Sequence, residues 1–369
     1  MYLAYKKLQE GSALKVLFTF FIPSGGVETL NRLRCSVLNQ HGIEAHTLYL
    51  KPGTGMQNNT GTVFITNLDE EIKSLLNQQQ YDAIIVTSDI NMVERLRLVL
   101  DYRGRIIYEA QGLGTREAAI ETICTAMPYL QAHANAVLIP PTAHLQQLFA
   151  EICPFMHRFI IPNMLDTTTF TPMNTDIPPY PAIMWIGRLE HNKNWREFLH
   201  ISHRIIQHKP NAKIWVFHDP TLAVPTDEQQ FYDTLKALDL EDKIGIFSNI
   251  PNNMMPQYYS MAARSGGIML STSIMEGFGY AVAEAISCGL PVLSSDSDGV
   301  RAFITHNQTG KFYSLGNIEQ AAAEAIELMN NQALREHIQR AGREHLVNHF
   351  SGSAYAVSFR QMMNALSIF

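Results

Sequence analysis

The sequence predicts an α/β protein with two doubly wound parallel-sheet domains, each Rossmann-like. Three observations predict this fold class. Apolar strand-like and helix-like segments alternate through the first half, a stretch rich in Pro, Thr and Asp interrupts them, and a second alternating series follows. With 369 residues the chain is long enough for two domains, because single hydrophobic cores stop growing near ~250–300 residues.

Each strand follows from a short apolar run rich in β-branched and aromatic residues. In the first half these runs are KVLFTFFI, AHTLYL, TVFIT, YDAIIVTS, GRIIYEA and AVLIPP, with a helix predicted at 27–40. In the second half they are AIMWIG, AKIWVFH, KIGIFSN, GGIMLST, LPVLSS and GKFYSL, with helices predicted at 195–208 and 227–238. Strands that alternate with helices in this way form parallel sheets.

The domain boundaries follow from the interrupted pattern. We predict an N-terminal Rossmann-like domain at 1–165, a linker at 166–181 and a C-terminal Rossmann-like domain at 182–350. An amphipathic segment at 351–369 is predicted to form a helix that packs back toward the first domain. Ligands of open α/β sheets bind at the carboxyl ends of the strands, so we expect a ligand cleft where those ends face each other.

Composition and charge exclude some functions. The chain is 46% hydrophobic and 17% charged, and its formal net charge of −6 argues against a nucleic-acid partner. The four cysteines are scattered without a CxxC motif, which favours a reducing compartment. No run reaches the roughly 18 apolar residues of a membrane span, and the N-terminal apolar stretch is interpreted as the first strand. We expect a cytoplasmic protein that can lie at the inner face of the membrane.

The stretch MEGFGYAVAEAISCGLPVL brackets a glycine turn with Glu276 and Glu284. A buried strand precedes the turn and a helix is predicted to begin near Gly279, so the turn lies at a helix N-terminus, which favours phosphate. The two carboxylates suit the hydroxyls of a sugar or ribose. The pattern therefore suggests a sugar nucleotide; the alternative is that Glu276 caps the helix and Glu284 is a solvated helix residue.

Two further turns follow the first strand of each half. Gly25 and Gly26 open the first helix, where they let a ligand approach the backbone; a plain tight turn is the alternative. In GRLEHNKN, Arg188 and Lys193 supply two cations suited to neutralise a diphosphate leaving group, although surface cations are usually only solvated.

Taken together, these motifs resemble the retaining glycosyltransferases of family 4, which have the GT-B architecture of two Rossmann-like domains. The resemblance rests on the E-x7-E pair within MEGFGYAVAEA, the GRLEHNKN loop, the IIPNMLDTTTF segment and the GGVE turn. It implies a retaining hexosyltransferase that moves a sugar from a UDP- or GDP-linked donor to a glycan, lipid-linked or protein acceptor. The implied setting is synthesis of surface polysaccharide or glycoconjugates, with possible peripheral membrane association.

The resemblance also implies roles for residues. Arg188 and Lys193 would bind the donor diphosphate and stabilise its departure, and Glu276 would contact the donor sugar. The first domain would be the acceptor side and the second the donor side. The remaining donor-binding residues would be Gly25, Gly26, Gly277, Phe278, Gly279 and Glu284, the last holding the ribose hydroxyls. Retention would proceed by front-side attack, with the leaving phosphate helping to deprotonate the acceptor.

Two positions depart from the family pattern. Gln111 stands where many relatives have a His at the end of a middle strand, so it is a candidate acceptor-side residue that cannot act as a general acid or base. His218 begins HDP where relatives have a glycine-rich turn. These departures leave two alternatives open: a non-catalytic sugar-nucleotide-binding protein, and a sugar-nucleotide epimerase or hydrolase on the same fold.

Asp296-Ser297-Asp298 looks like a DxD metal motif, but we interpret it as an Asp-rich turn and expect no required metal or other cofactor. Base contacts are expected near 248–251, and acceptor contacts from the loops at 51–60 and 112–121. The sequence does not define the oligomeric state.

Overall fold

The computed structural model describes residues 14–59, 61–114 and 116–367. The described residues form two compact units. The first comprises the chain up to Met164 together with the segment from Phe350 onward, and the second is Leu165–His349. Each unit has its own parallel sheet and its own buried apolar core.

The sheet of the first unit has seven strands within the described residues, in the order β3-β2-β1-β4-β5-β6-β7. All its neighbouring strands are parallel. The strands are β1 Leu14–Phe20, β2 Ile43–Tyr49, β3 Val63–Ile65, β4 Ala83–Thr87, β5 Arg105–Glu109, β6 Ala136–Ile139 and β7 Arg158–Ile160. The helices are α1 Gly25–Gln40, α2 Asp69–Gln79, α3 Ile90–Leu98, α4 Arg116–His133 and α5 Ala143–Ile152.

The sheet of the second unit has six strands among the described residues, in the order β10-β9-β8-β11-β12-β13. They are β8 Ala182–Ile186, β9 Lys213–His218, β10 Ile244–Ser248, β11 Ile268–Ser271, β12 Val292–Ser295 and β13 Lys311–Tyr313, all in parallel pairs. The helices are α6 Trp195–His208, α7 Pro225–Ala237, α8 Met255–Arg264, α9 Tyr280–Ser287, α10 Ile318–Asn330 and α11 Gln332–His349. Two α/β units with parallel sheets are the predicted fold class.

The last helix, α12 Gly352–Ser367, belongs to the first unit and packs against α1. Gly352 lies so close to α1 that a Cβ atom there would come within 2.6 Å of the Val37 side chain. Two turns further along, the ring of Phe359 lies 5.8 Å from that of Phe18 on β1. Of the described helices, none combines the length and apolar character needed to cross a membrane.

One strand of the first sheet was not predicted. Strand β7, Arg158–Ile160, has only three residues and lies at the edge of the sheet, where it exposes Arg158 and Ile160. A run this short and half exposed has no period-2 pattern to recognise. Helix α1 begins at Gly25, two residues earlier than predicted, because Gly25 adopts a left-handed φ of 66° that redirects the chain into the helix.

A buried ion pair joins α1 to the sheet of the first unit. The Arg34 guanidinium has no exposed surface, and its Nη1 donates to both Glu109 carboxylate oxygens at 2.7 and 2.8 Å. Thr87 Oγ1 donates to the same carboxylate at 2.7 Å, and the Phe18 ring lies 3.8 Å from Arg34 Cζ. Because both side chains are buried away from water, each charge is stabilised by the other and by its hydrogen-bond partners.

Candidate functional site

The glycine turn between β11 and α9 is fixed by hydrogen bonds from Ser295 and Gly299. Ser295 Oγ donates to the Ser273 carbonyl at 2.5 Å, and the Gly299 amide donates to the Glu276 carbonyl at 3.1 Å. Gly279 has a φ of 80°, and a Cβ atom there would lie 2.8 Å from Val300. Only glycine fits this conformation in this space, so the turn presents one fixed backbone shape before the first turn of α9.

Lys193 and Glu276 form the central contact of the site. Lys193 Nζ lies 2.5 Å from Glu276 Oε1, and Ser273 Oγ donates to the same oxygen at 2.7 Å. Both side chains are partly exposed, at 21% and 15%. Across the part of the chain that the structure describes, Glu276 Oε2 accepts no hydrogen bond. The pair therefore offers a ligand one cationic donor and one carboxylate oxygen.

Asn192 fastens the Lys193 loop to the glycine turn, and sequence reasoning missed it. Its side chain accepts from the Met275 amide at 3.1 Å and donates to the Met275 carbonyl at 3.1 Å, while its carbonyl accepts from the Ile274 amide at 2.8 Å. Thr272 Oγ1 adds a bond to the Lys193 carbonyl at 2.9 Å. An Asn next to a predicted cationic residue could have suggested this role, but its partners lie 83 residues away.

Arg188 lies on the same loop and is half exposed. Its Nη2 is 2.8 Å from Glu190 Oε1. An ion pair of this exposure contributes little to stability, about 0–1 kcal/mol, so the guanidinium can exchange its partner for a ligand anion at small cost. The structure places Arg188 and Lys193 on the loop that follows β8.

Glu284 is not the solvated helix residue of the alternative interpretation. It is only 4% exposed, and its carboxylate accepts from the Tyr259 hydroxyl at 3.0 Å and from Asn252 Nδ2 at 3.3 Å. Burial, with the Glu284 charge second, raises the pKa of Tyr259 well above its usual value, so the hydroxyl remains a donor. Glu276 does not cap the helix either, since the N-cap residue of α9 is Gly279, with no side-chain bond.

Phe278 stabilises the turn through its ring. The ring is buried, with its centroid 4.8 Å from that of Tyr280 and 5.3 Å from that of Phe303. This packing leaves the backbone of Gly277 and Phe278, rather than the aromatic face, as the surface of the turn.

In the first unit, Gly25 and Gly26 form the exposed first turn of α1. Ser24 precedes them without a side-chain cap, and among the described residues outside its chain neighbours none lies within 4 Å of a Cβ built on Gly25. The amide groups of this turn can therefore be approached by a ligand anion.

Gln111 lies just beyond β5 and is engaged by the protein. Its Nε2 donates to Asn163 Oδ1 at 3.0 Å, and Asn163 Nδ2 donates back to Gln111 Oε1 at 3.2 Å. Ser88 Oγ binds the Gln111 backbone at both its amide and its carbonyl, at 3.0 and 2.7 Å. This reciprocal amide pair was not predictable, because its members are 52 residues apart.

His218 and the Asp296-Ser297-Asp298 segment are accounted for by burial and by an ion pair, respectively. His218 is buried at the end of β9, and burial lowers its pKa, so the imidazole is neutral at physiological pH. Asp296 binds the Arg301 guanidinium through both carboxylate oxygens at 2.7 and 2.9 Å, with Asp298 3.7 Å from the same side chain.

Solved structures with the same architecture identify the fold. The Anabaena protein HepE, crystallised with UDP-glucose, superposes with a TM-score of 0.80 at 14% identity, over 95% of this chain and 100% of that chain. Sucrose-phosphate synthase from Thermosynechococcus elongatus gives a TM-score of 0.79 at 14% identity, over 96% and 99%. The protein therefore has the GT-B fold of glycosyltransferases, which confirms the predicted fold class.

Part of the second unit matches a known protein family. Residues 174–345 match the model of the family Glycosyl transferases group 1, in agreement with the resemblance found in the sequence motifs. The chain is 23% identical to 2-deoxystreptamine N-acetyl-D-glucosaminyltransferase of Niallia circulans over 198 residues, which are 54% of this chain and 45% of the relative. It is 29% identical to N-acetyl-alpha-D-glucosaminyl L-malate synthase of Bacillus anthracis over 142 residues, 38% and 36%. The chain thus spans less than half the length of both relatives.

Proposed function

We propose that the protein is a retaining glycosyltransferase that moves a hexosyl group from a UDP- or GDP-linked donor to a glycan, lipid-linked or protein acceptor. The observation that carries this proposal is the Lys193–Glu276 pair, fastened to a glycine turn at the N-terminus of α9. The similarity to HepE with bound UDP-glucose, to 2-deoxystreptamine N-acetyl-D-glucosaminyltransferase and to N-acetyl-alpha-D-glucosaminyl L-malate synthase supports it.

Lys193 and Arg188 act on the leaving group in this proposal. Cleavage of the bond from the anomeric carbon to the phosphate oxygen leaves the bonding electrons on the diphosphate, whose charge rises. Two cations on one loop stabilise that charge most when it is fully developed, which is the requirement for catalysis. The bond from Lys193 to Glu276 fixes the ammonium position before the donor arrives, so little reorganisation is needed.

The donor is held by the turn and by Glu284. The Glu276 Oε2 atom accepts a sugar hydroxyl, and the backbone of Gly277, Phe278 and Gly279 contacts sugar and phosphate. The Glu284 carboxylate, held in place by Tyr259, accepts the two ribose hydroxyls. Gly25 and Gly26 contribute amide groups to a phosphate or to the acceptor.

The hydrogen bonds of Glu276 argue against a covalent intermediate. Glu276 Oε1 accepts from a lysine and a serine, which lowers its nucleophilicity and favours a role in binding over covalent catalysis. For the retention that the resemblance implies, we therefore propose front-side attack, in which the acceptor oxygen bonds to the anomeric carbon and its proton passes to the departing phosphate. No metal is required, because Arg188 and Lys193 supply the positive charge.

The remaining assignments are proposed from the same likeness. The first unit is the acceptor side, with Gln111 as an acceptor-side residue, and the second unit is the donor side. We propose action in the cytoplasm, with peripheral association at the inner face of the membrane, in synthesis of surface polysaccharide or glycoconjugates.

A nucleotide screen tests the donor site. We expect one of UDP, GDP or ADP, without added metal, to raise the melting temperature of the full chain. At about 100 times its dissociation constant the ligand adds roughly 2.7 kcal/mol of stability. Glu284→Gln keeps a hydrogen-bond acceptor for Tyr259 but loses the negative charge. The rise in melting temperature caused by the nucleotide should therefore be much smaller in this variant.

The matched control for this screen is Glu336→Ala, an exposed glutamate on α11. With nucleotide, the melting temperature of this variant should rise as much as that of the wild type. Absence of a shift with every nucleotide, or an equal shift in Glu284→Gln, would count against the donor-site assignment.

A further inference from the structure

The first unit contains a cavity that the donor site does not use. Its volume is about 450 Å³, within the usual range for a small-molecule site. The apolar part of its wall includes Phe21, Ile22 and Leu50, and the polar part includes Lys51, Asp89 and Arg95. These residues lie on the segments that follow β1, β2 and β4.

The position of the cavity in the sheet is that of a ligand site. The order β3-β2-β1-β4-β5 places β1 at the point where the chain reverses its direction across the sheet. Segments leaving neighbouring strands diverge there, which opens a crevice at the carboxyl ends of the strands. The cavity lies at this point, between the segments after β1 and β4.

The apolar wall suits one face of a sugar ring. Phe21 is 42% exposed, so part of its ring is available to a ligand. The C–H face of a pyranose packs on such a surface by dispersion while its hydroxyls point elsewhere. Of the polar groups, Asp89 is 6% exposed, accepts from the Met92 amide at 3.1 Å and can accept a ligand hydroxyl as well.

The two cations of the cavity differ in their partners. Arg95 is already neutralised, since its Nε donates to Asp69 at 2.6 Å and its Nη1 to Asn67 Oδ1 at 2.7 Å. Lys51 is anchored by its backbone, whose amide donates to the Phe21 carbonyl at 3.0 Å, while its side chain is exposed. Among the described residues, no carboxylate lies within ion-pair distance of its ammonium. Lys51 is thus the charge that a ligand would neutralise.

We propose that this cavity binds the acceptor of the transfer, and that the acceptor is a glycosyl unit bearing a carboxylate or phosphate group. Its ring lies against Phe21, its hydroxyls face Asp89 and its anionic group pairs with Lys51. This inference rests on the proposed function, which it deepens by naming the acceptor class.

Binding of small probes to the full chain tests the inference without knowledge of the natural acceptor. The probes are methyl glucoside, methyl glucuronide and glucose 6-phosphate, titrated by ligand-observed NMR in the presence of saturating nucleoside diphosphate. Because an exposed lysine forms a weak ion pair, we expect the anionic probes to bind about 2- to 5-fold more tightly than the neutral one. The tighter of the two anionic probes shows whether the acceptor group is a carboxylate or a phosphate.

Lys51→Met should remove the preference for the anionic probes over methyl glucoside, because it nearly keeps the length of the side chain and loses its charge. Lys73→Met, an exposed lysine on α2, is the matched control and should keep it. Equal binding of all three probes, no saturable binding of either anionic probe, or a preference that survives Lys51→Met would overturn the inference. Tighter binding of the anionic probes when the titration is repeated without nucleotide would do the same, since such competition would make the cavity part of the donor site.

The nucleotide shift measured on the same sample separates this inference from the proposed function. If the nucleotide raises the melting temperature as expected, but Lys51→Met leaves probe binding unchanged, the anionic acceptor is rejected and the donor-site assignment stands. Loss of the nucleotide shift itself would reject the proposed function.

Discussion

Replacing Lys193 with alanine is expected to lower kcat/KM for sugar transfer by about 10²–10³-fold, the effect of removing one preorganised donor from a developing oxyanion. The variant loses the cation proposed to stabilise the leaving diphosphate, and Glu276 keeps only Ser273 as a partner on Oε1. The melting temperature should change little, since the lysine is partly exposed. Initial rates of nucleoside diphosphate release over a range of donor concentrations provide the measurement.

Lys236→Ala is the control for this prediction, because Lys236 is an exposed lysine on α7 in the same unit. It should retain the wild-type rate. If Lys193→Ala transferred sugar as fast as Lys236→Ala, the role of the Lys193–Glu276 pair in catalysis would be wrong.

Replacing Arg34 with methionine is expected to destabilise the first unit by about 3–5 kcal/mol, because it leaves the Glu109 carboxylate buried without its cation. A stability of ~5–15 kcal/mol is usual for a domain, so this loss is a large part of the total. All three tryptophans, Trp185, Trp195 and Trp215, lie in the second unit and cannot report on it. Hydrogen exchange of the β4 and β5 amides, followed in urea, reports on the first unit directly.

A double replacement separates the ion pair from simple loss of packing. Arg34→Met combined with Glu109→Leu removes both charges and should recover part of the lost stability, since apolar side chains can replace a buried pair. Arg103→Met, which breaks the exposed pair with Asp101, should cost about 0–1 kcal/mol. A double variant no more stable than Arg34→Met alone would show that lost packing, rather than an unpaired buried charge, causes the destabilisation.

The sequence was sufficient for the fold because its signals are local. Runs such as AIMWIG and AKIWVFH are short, apolar and separated by helical segments, and each became a parallel strand. The glycine turn before α9 was equally local, since a strand, two glycines and a helix start lie within a few residues. The predicted roles of Glu276 and Glu284 remain predictions, but burial of Glu284 excludes the solvated alternative.

What the sequence could not show depends on distant partners. Arg34 and Glu109 are 75 residues apart, and neither carries a pattern that distinguishes a buried ion pair from two surface charges. The same holds for Asn192, whose bonds to Met275 fix the position of the neighbouring lysine. The cavity beside Phe21 arises only when the segments after three strands come together.

Cleavage of a nucleotide sugar with retention of configuration is the reaction that we propose for the protein. Proton NMR of the full chain with the nucleotide sugar that binds best, in water and with the anionic acceptors, measures this reaction. We expect release of nucleoside diphosphate and a product whose anomeric configuration equals that of the donor, at a rate that Lys193→Ala greatly reduces. A donor that binds and stays intact, or a product with the inverted configuration, would show that the proposed reaction is wrong.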